Sequence, residues 1–172
     1  MAFLNLADGQ RAARKTLITV AEWTPSGGTA VKQLLGVRTE DSSIEYNNDI
    51  SQTTDILGYN YTDVNKTQPQ QDFDPFLVMG GSALAEFLND LRRRNAVTEY
   101  SQFTIYVITA FKGTAGAYEA EKHTDCTIAV NSIGGDVNVN MPISVYFSNK
   151  ITLGTVDKLD NTFQFTPESV SV

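Results

Sequence analysis

The sequence predicts a mainly β fold: an antiparallel β-sandwich or barrel with one flanking α-helix at about 82–94 and a long arm or loop at about 36–75. Three observations carry this. Apolar and polar residues alternate with period 2 through most of the chain, the spacing that puts one face of a strand on a core. Only Ser82–Arg94 shows three- and four-residue apolar spacing instead, in Leu84, Phe87, Leu88 and Leu91. The glycine pairs Gly27-Gly28 and Gly134-Gly135 stand between strand-like runs, where a turn is needed.

In chain order, Thr16–Ala21, Ala30–Val37 and Ser43–Ile50 read as strands. Ser51–Asp74 follows with few large apolar residues and the polar run Lys66–Gln71, yet Ile50, Ile56, Leu57, Tyr59 and Tyr61 argue against plain disorder. Asp74-Pro75 fits a cap followed by a first-turn proline. The helix is capped by Gly81 or Ser82, and Arg92, Arg93 and Arg94 sit in its last turn, where cations suit the dipole. Thr98–Phe111 is apolar on both faces (Phe103, Ile105 and Val107 against Tyr106 and Ile108), so it should be covered on both sides. Ala117–Asn131 is the next strand. Val137–Phe147 puts Val137, Val139, Met141, Ile143, Val145 and Phe147 on one face, with Pro142 marking an edge or bulge. Ile151–Thr155 and Thr162–Thr166 complete the set.

Length and composition bound the function. At 172 residues the chain suits a single domain, 1–172, large enough to bury about 70% of its unfolded surface. Hydrophobic residues make up 41%, which excludes a disordered chain, and no apolar run approaches the ~18–20 residues of a membrane span. Twenty acids against 13 bases give net −7, the wrong sign for coating a duplex. The first residues lack a signal-peptide pattern, so synthesis in a cytoplasm with Cys126 reduced is expected.

No catalytic constellation emerges, and the chain is not expected to be an enzyme. His123-Thr124-Asp125-Cys126 gathers imidazole, carboxylate and thiol, but on a regular strand Cys126 points away from His123 and Asp125, so no Cys–His pair forms. A buried structural Cys is the commoner role. Glu119, Glu121, His123 and Asp125 make an acidic stripe with no cleft implied around it. Asp63, Asn65, Asp72 and Asp74 lack calcium-loop spacing, and Gly80-Gly81-Ser82 lacks the rest of a phosphate loop. Neither metal nor cofactor is expected. The three arginines fan out by about 100° per residue and suit helix capping and inter-subunit ion pairs better than a phosphate backbone.

Ordered features across most of the length then carry a resemblance. Thr54-Asp55-Ile56-Leu57-Gly58, the strand-like Asp63-Val64-Asn65-Lys66, Pro69-Gln70-Gln71 to Asp74-Pro75, the single helix, the Gly134-Gly135-Asp136 turn, Gly154-Thr155-Val156 and Phe165-Thr166-Pro167 resemble phage major tail tube proteins. The resemblance implies a virion structural subunit, made and assembled in the bacterial host cytoplasm. Six copies would close a ring, and rings would stack into a tube that conducts DNA from capsid to host without binding it. Partners would be further copies, tail terminator, tape-measure and baseplate or tip proteins. On this reading Asp55, Ile56, Leu57, Tyr59 and Tyr61, with Arg92, Arg93 and Arg94, make inter-subunit contacts, and Glu119, Glu121 and Asp125 face the lumen. The rival expectation is a β-sandwich module that grips carbohydrate or another ligand, stacking it on Trp23, Tyr59 and Tyr61.

Overall fold

The computed structural model describes residues 6–169. Eleven strands and one helix follow the chain: β1 (Leu17–Trp23), β2 (Val31–Leu34), β3 (Ile44–Glu45), β4 (Asp49–Thr54), β5 (Asn60–Lys66), β6 (Gln70–Phe73), α1 (Ala83–Arg94), β7 (Phe103–Thr114), β8 (Ala117–Val130), β9 (Ile143–Tyr146), β10 (Ile151–Val156) and β11 (Phe165–Pro167). Nine strands form one antiparallel sheet in the order β2-β1-β7-β8-β9-β6-β3, with β10 beside β8 and β11 outside β10. The predicted mainly β fold with one flanking helix is the fold observed.

Strand β8 folds this sheet into two layers by changing partners. Its Tyr118–His123 stretch pairs with β10, and its Thr127–Val130 stretch pairs with β9, while β7 runs along the other side. Between the layers lie Ala21, Trp23, Phe103 and Ile105 from one side and Phe73, Ile128, Ile143 and Val145 from the other. The helix closes this core with Leu84, Ala85, Leu88 and Leu91, and Phe87 stacks on Trp23 at 5.9 Å between ring centroids. Trp23 is therefore buried and offers no platform to a sugar.

The reverse face of β1 and β7 carries a second cluster of Val20, Tyr106, Ile108, Ala120, Val156 and Phe163. The chain after β10 straps over it: Phe163 meets the Tyr106 ring edge-on at 4.9 Å, and Lys32 Nζ donates to the Phe163 carbonyl at 2.8 Å. This is why Ile105 and Ile108, on opposite faces of β7, are both fully buried. The expected start of this strand shifts, because Val97–Ser101 forms a 3-10 turn.

Other boundaries move for identifiable reasons. Only Ile143–Tyr146 of the expected Val137–Phe147 strand pairs as one. Met141, Ile143 and Val145 keep the buried face, but Val137 and Val139 are exposed on a loop closed by the Gly134–Asn140 bridge. Pro142 stands just ahead of β9, where no ladder N–H is needed, and β9 is an interior strand between β8 and β6, not an edge. The expected Ser43–Ile50 strand is split into β3 and the start of β4 around Asn47, at φ 45°. Asp74-Pro75 is a cis peptide leaving β6 and begins no helix. Ser82 is the N-cap as expected, its Oγ accepting from the Ala85 amide at 3.3 Å.

Candidate assembly surfaces

The expected arm is a β-hairpin. Asp49–Thr54 and Asn60–Lys66 pair in antiparallel register, forming a two-stranded ribbon separate from the main sheet. Every residue of β5 is exposed. An isolated two-stranded hairpin is marginal in water, so the turn matters. The Asp55 carboxylate organises it: Oδ1 accepts from the Leu57 and Tyr59 amides at 2.8 and 2.9 Å, and Oδ2 accepts from the Tyr61 hydroxyl at 3.1 Å. These donors, the Tyr59 amide above all, hold the Asp55 carboxyl below the usual carboxylate range. Gly58, at φ 84°, supplies the left-handed residue that the turn requires. At the root, the Gln68 amide donates to the Tyr46 carbonyl at 2.8 Å and Asn47 Nδ2 to the Gln68 carbonyl at 3.1 Å.

The ribbon displays apolar side chains that the domain does not cover. Ile56 is fully exposed and Leu57 is 76% exposed at the tip, with Tyr59, Tyr61, Ile50 and Val64 exposed behind them. Of the expected inter-subunit residues, Asp55, Ile56, Leu57, Tyr59 and Tyr61 are thus brought together on one projection. The arginines lie elsewhere, on α1. Arg94 is bound within its own chain, to Asp90 at 2.8 Å and to Glu99 at 3.1 Å. Arg92 donates to Asn89 Oδ1 at 2.8 Å, and Arg93 is exposed.

The four residues of the expected stripe on β8, three of them acidic, are all partnered. Glu119 pairs with Lys112 at 2.7 Å, Glu121 Oε2 lies 3.2 Å from His123 Nε2, and Asp125 pairs with Lys150, whose ammonium is held above its ordinary value by that carboxylate. His123 is buried, with Nδ1 3.3 Å from the Ser148 carbonyl oxygen.

One expectation on this strand is overturned. Cys126 aligns with Phe103 and His123 with Ile105, two residues apart on β7, so thiol and imidazole fall on the same side of the sheet. The cause is a bulge: Asp125 takes φ 57°, adding a residue to β8 and reversing the expected parity, so Asp125 itself leaves the face of Glu119, Glu121 and His123 on which it was expected. The two groups still do not form a nucleophilic pair. Cys126 Sγ meets the His123 backbone carbonyl at 3.5 Å, and burial pushes the thiol pKa up.

Two features escape the sequence reading. Gln33, an unremarkable polar residue on β2, clamps the start of α1: its Nε2 donates to Ser82 Oγ at 3.0 Å and its Oε1 accepts from the Leu84 amide at 2.9 Å. Val78, which follows β6, and Ile133, Val137 and Val139, on the loop between β8 and β9, are each exposed. Gly134-Gly135 on one side of the valines and Pro142 on the other are the signals that a loop, not a buried strand, carries them.

No protein-family model and no curated protein matches the chain. Among solved structures it is similar to a chain of the cryo-EM structure of the anti-feeding prophage (AFP) baseplate, 6-fold symmetrised. The TM-score is 0.52 at 11% identity, over 84% of this chain and 96% of that one, a likeness of fold.

Proposed function

We propose that this chain is a structural subunit of a phage tail or a phage-derived tail-like particle, and within it a tube-forming protein. The observation that carries the reading is the β4–β5 hairpin, which exposes Ile56, Leu57, Tyr59 and Tyr61 while pairing only with itself among the described residues. Apolar surface of this kind marks an interaction site. The fold it shares with a chain of a six-fold phage-derived assembly supports the same conclusion.

In this reading six copies close a ring, rings stack, and the hairpin reaches a neighbouring copy. Closing into a ring removes the free edges that β2 and β3 otherwise present. The acids Glu119 and Glu121 face the bore, with Lys112 and His123 pinning them in place, while Asp125, turned to the other face by the bulge, pairs with Lys150 outside it. A ring of six carries about −42, six times the chain's −7, so DNA in transit is repelled and not held. The work is mechanical and electrostatic, with no catalysis and no cofactor. Arg92 and Arg93 remain the arginines available for contacts between subunits, and terminator, tape-measure and baseplate proteins would complete the tail.

Deleting Thr53–Asn65 tests the reading. The shortened chain should keep its circular dichroism and cooperative unfolding but stay monomeric by light scattering. Tubes formed by the deletion variant would refute it.

A further inference from the structure

His123 is the one histidine of the chain, and both of its ring nitrogens face oxygen. Nδ1 lies 3.3 Å from the Ser148 carbonyl oxygen, and Nε2 lies 3.2 Å from Glu121 Oε2. A carbonyl and a carboxylate only accept, so each contact is a hydrogen bond only when its ring nitrogen carries a proton. The imidazolium, with two N–H groups, satisfies both at once. Neutral imidazole has one N–H and one bare lone pair, and keeps only one of the two. Histidine is also the side chain whose unperturbed charge change falls between pH 5 and 8.

The surroundings decide which contact the neutral ring keeps. The His123 side chain is 5% exposed, whereas that of Glu121 is 45% exposed. Phe147 meets the imidazole T-shaped at 5.0 Å between centroids, and Ser148 follows it on the turn from β9 to β10. Other bonds tie that turn to β8: the Thr124 amide donates to the Lys150 carbonyl at 3.2 Å, and Ser148 Oγ donates to the Thr124 carbonyl. The Ser148 carbonyl is therefore held against Nδ1, while the Glu121 carboxylate can turn to water at little cost. A bare lone pair on Nε2 would repel that carboxylate.

The other ionisable groups around the ring are engaged elsewhere. On β8, Asp125 pairs with Lys150, Lys122 lies over the Tyr106 ring on the opposite face, and Cys126 Sγ meets the His123 carbonyl, not the ring. Strand β7 presents Ile105 and Val107 at this register and β10 presents Ile151 and Leu153, none of which titrates. Tyr46, just after β3, is exposed and lines the same cavity of about 240 Å³ as Glu121 and His123.

We propose that His123 and Glu121 form a proton-operated switch on this face of β8. The protonated ring holds the carboxylate, and loss of the Nε2 proton to water releases it while Nδ1–H stays on the Ser148 carbonyl. The pair passes from no net charge to one negative charge, and Glu121 is the group that moves. The switch belongs to the single domain and needs no second copy. Under the assembly reading, the same step adds one negative charge per copy to the wall on which Glu121 sits.

Nitrogen-15 NMR of the intact chain, at concentrations below assembly, reads the switch directly, because a single imidazole reports. Between about pH 5 and about pH 9 the ring should pass from protons on both nitrogens to a proton on Nδ1 alone. Glu121→Gln removes the negative neighbour and should move the midpoint to lower pH by about one unit, a loss of about tenfold in proton affinity, with the circular dichroism unchanged. Glu119→Gln, whose carboxylate is paired with Lys112, should move it far less. A neutral ring with its proton on Nε2, a midpoint that Glu121→Gln leaves in place, or a ring that keeps one protonation state throughout would overturn the switch. None of these outcomes bears on whether copies assemble.

Discussion

Asp55 and Tyr61 are tied across the tip of the β4–β5 hairpin, the Tyr61 hydroxyl donating to Asp55 Oδ2 at 3.1 Å while Oδ1 takes the Leu57 and Tyr59 amides. The tie makes two highly exposed apolar residues, Ile56 and Leu57, part of an ordered turn. It also makes that turn sensitive to acid. The Asp55 carboxyl is held below its ordinary 3.8, so its stabilisation is complete above that value and is lost as pH falls through the lower folded value. Amide exchange at Leu57 and Tyr59 should therefore be slow at pH 6 and rise steeply below about pH 4, relative to the intrinsic rate. Asp55→Ala should show fast exchange at every pH; exchange in that variant matching the unmodified chain would refute the role of the carboxylate.

The Gln33 clamp predicts a stability cost out of proportion to a polar surface residue. Gln33→Ala strands the amide of fully buried Leu84 and should cost about 1–3 kcal/mol in urea unfolding. Ser82→Ala should cost about 1 kcal/mol as a lost N-cap. Because Gln33 and Ser82 are hydrogen-bonded to each other, the double variant should lose less than the sum. Strict additivity would contradict the clamp.

Cys126 should be inert in the folded protein. It is fully buried, and burial raises its thiol pKa, so both access and thiolate are scarce. Ellman's reagent should find no reactive thiol in the native chain and one per chain in strong denaturant. Rapid native labelling would place Cys126 outside the core.

The lumen assignment is tested by charge. Converting Glu119 and Glu121 to Gln removes two negative charges per subunit and leaves Lys112 without its partner. Assembly should persist, while DNA passage through the particle slows as the wall turns attractive to phosphate. Unchanged ejection kinetics would remove these residues from the bore.

What was legible in the sequence follows from what each element packs against. Strand β7 and helix α1 bury apolar residues at their natural periods, so composition and spacing reveal them. Every residue of Asn60–Lys66 is exposed, so this strand has no buried face whose alternation could announce it. Strand β6 is hidden for the opposite reason: Gln71 is buried, but through a 2.9 Å hydrogen bond from Thr19 Oγ1. The relation of His123 to Cys126 depended on one left-handed residue, Asp125, and a single inserted residue flips the parity of everything beyond it. Val137 and Val139 continue the alternation of β9 beyond the point where Pro142 ends the pairing, so period alone overextends the strand.

Light scattering across a concentration series, paired with negative-stain images of the intact chain, bears most directly on the proposal that the hairpin drives assembly. Rings or tubes that grow with concentration, and that vanish with Leu57→Asp while the fold is retained, are the expected result. A monomer at all concentrations, or assembly indifferent to Leu57→Asp, would contradict it.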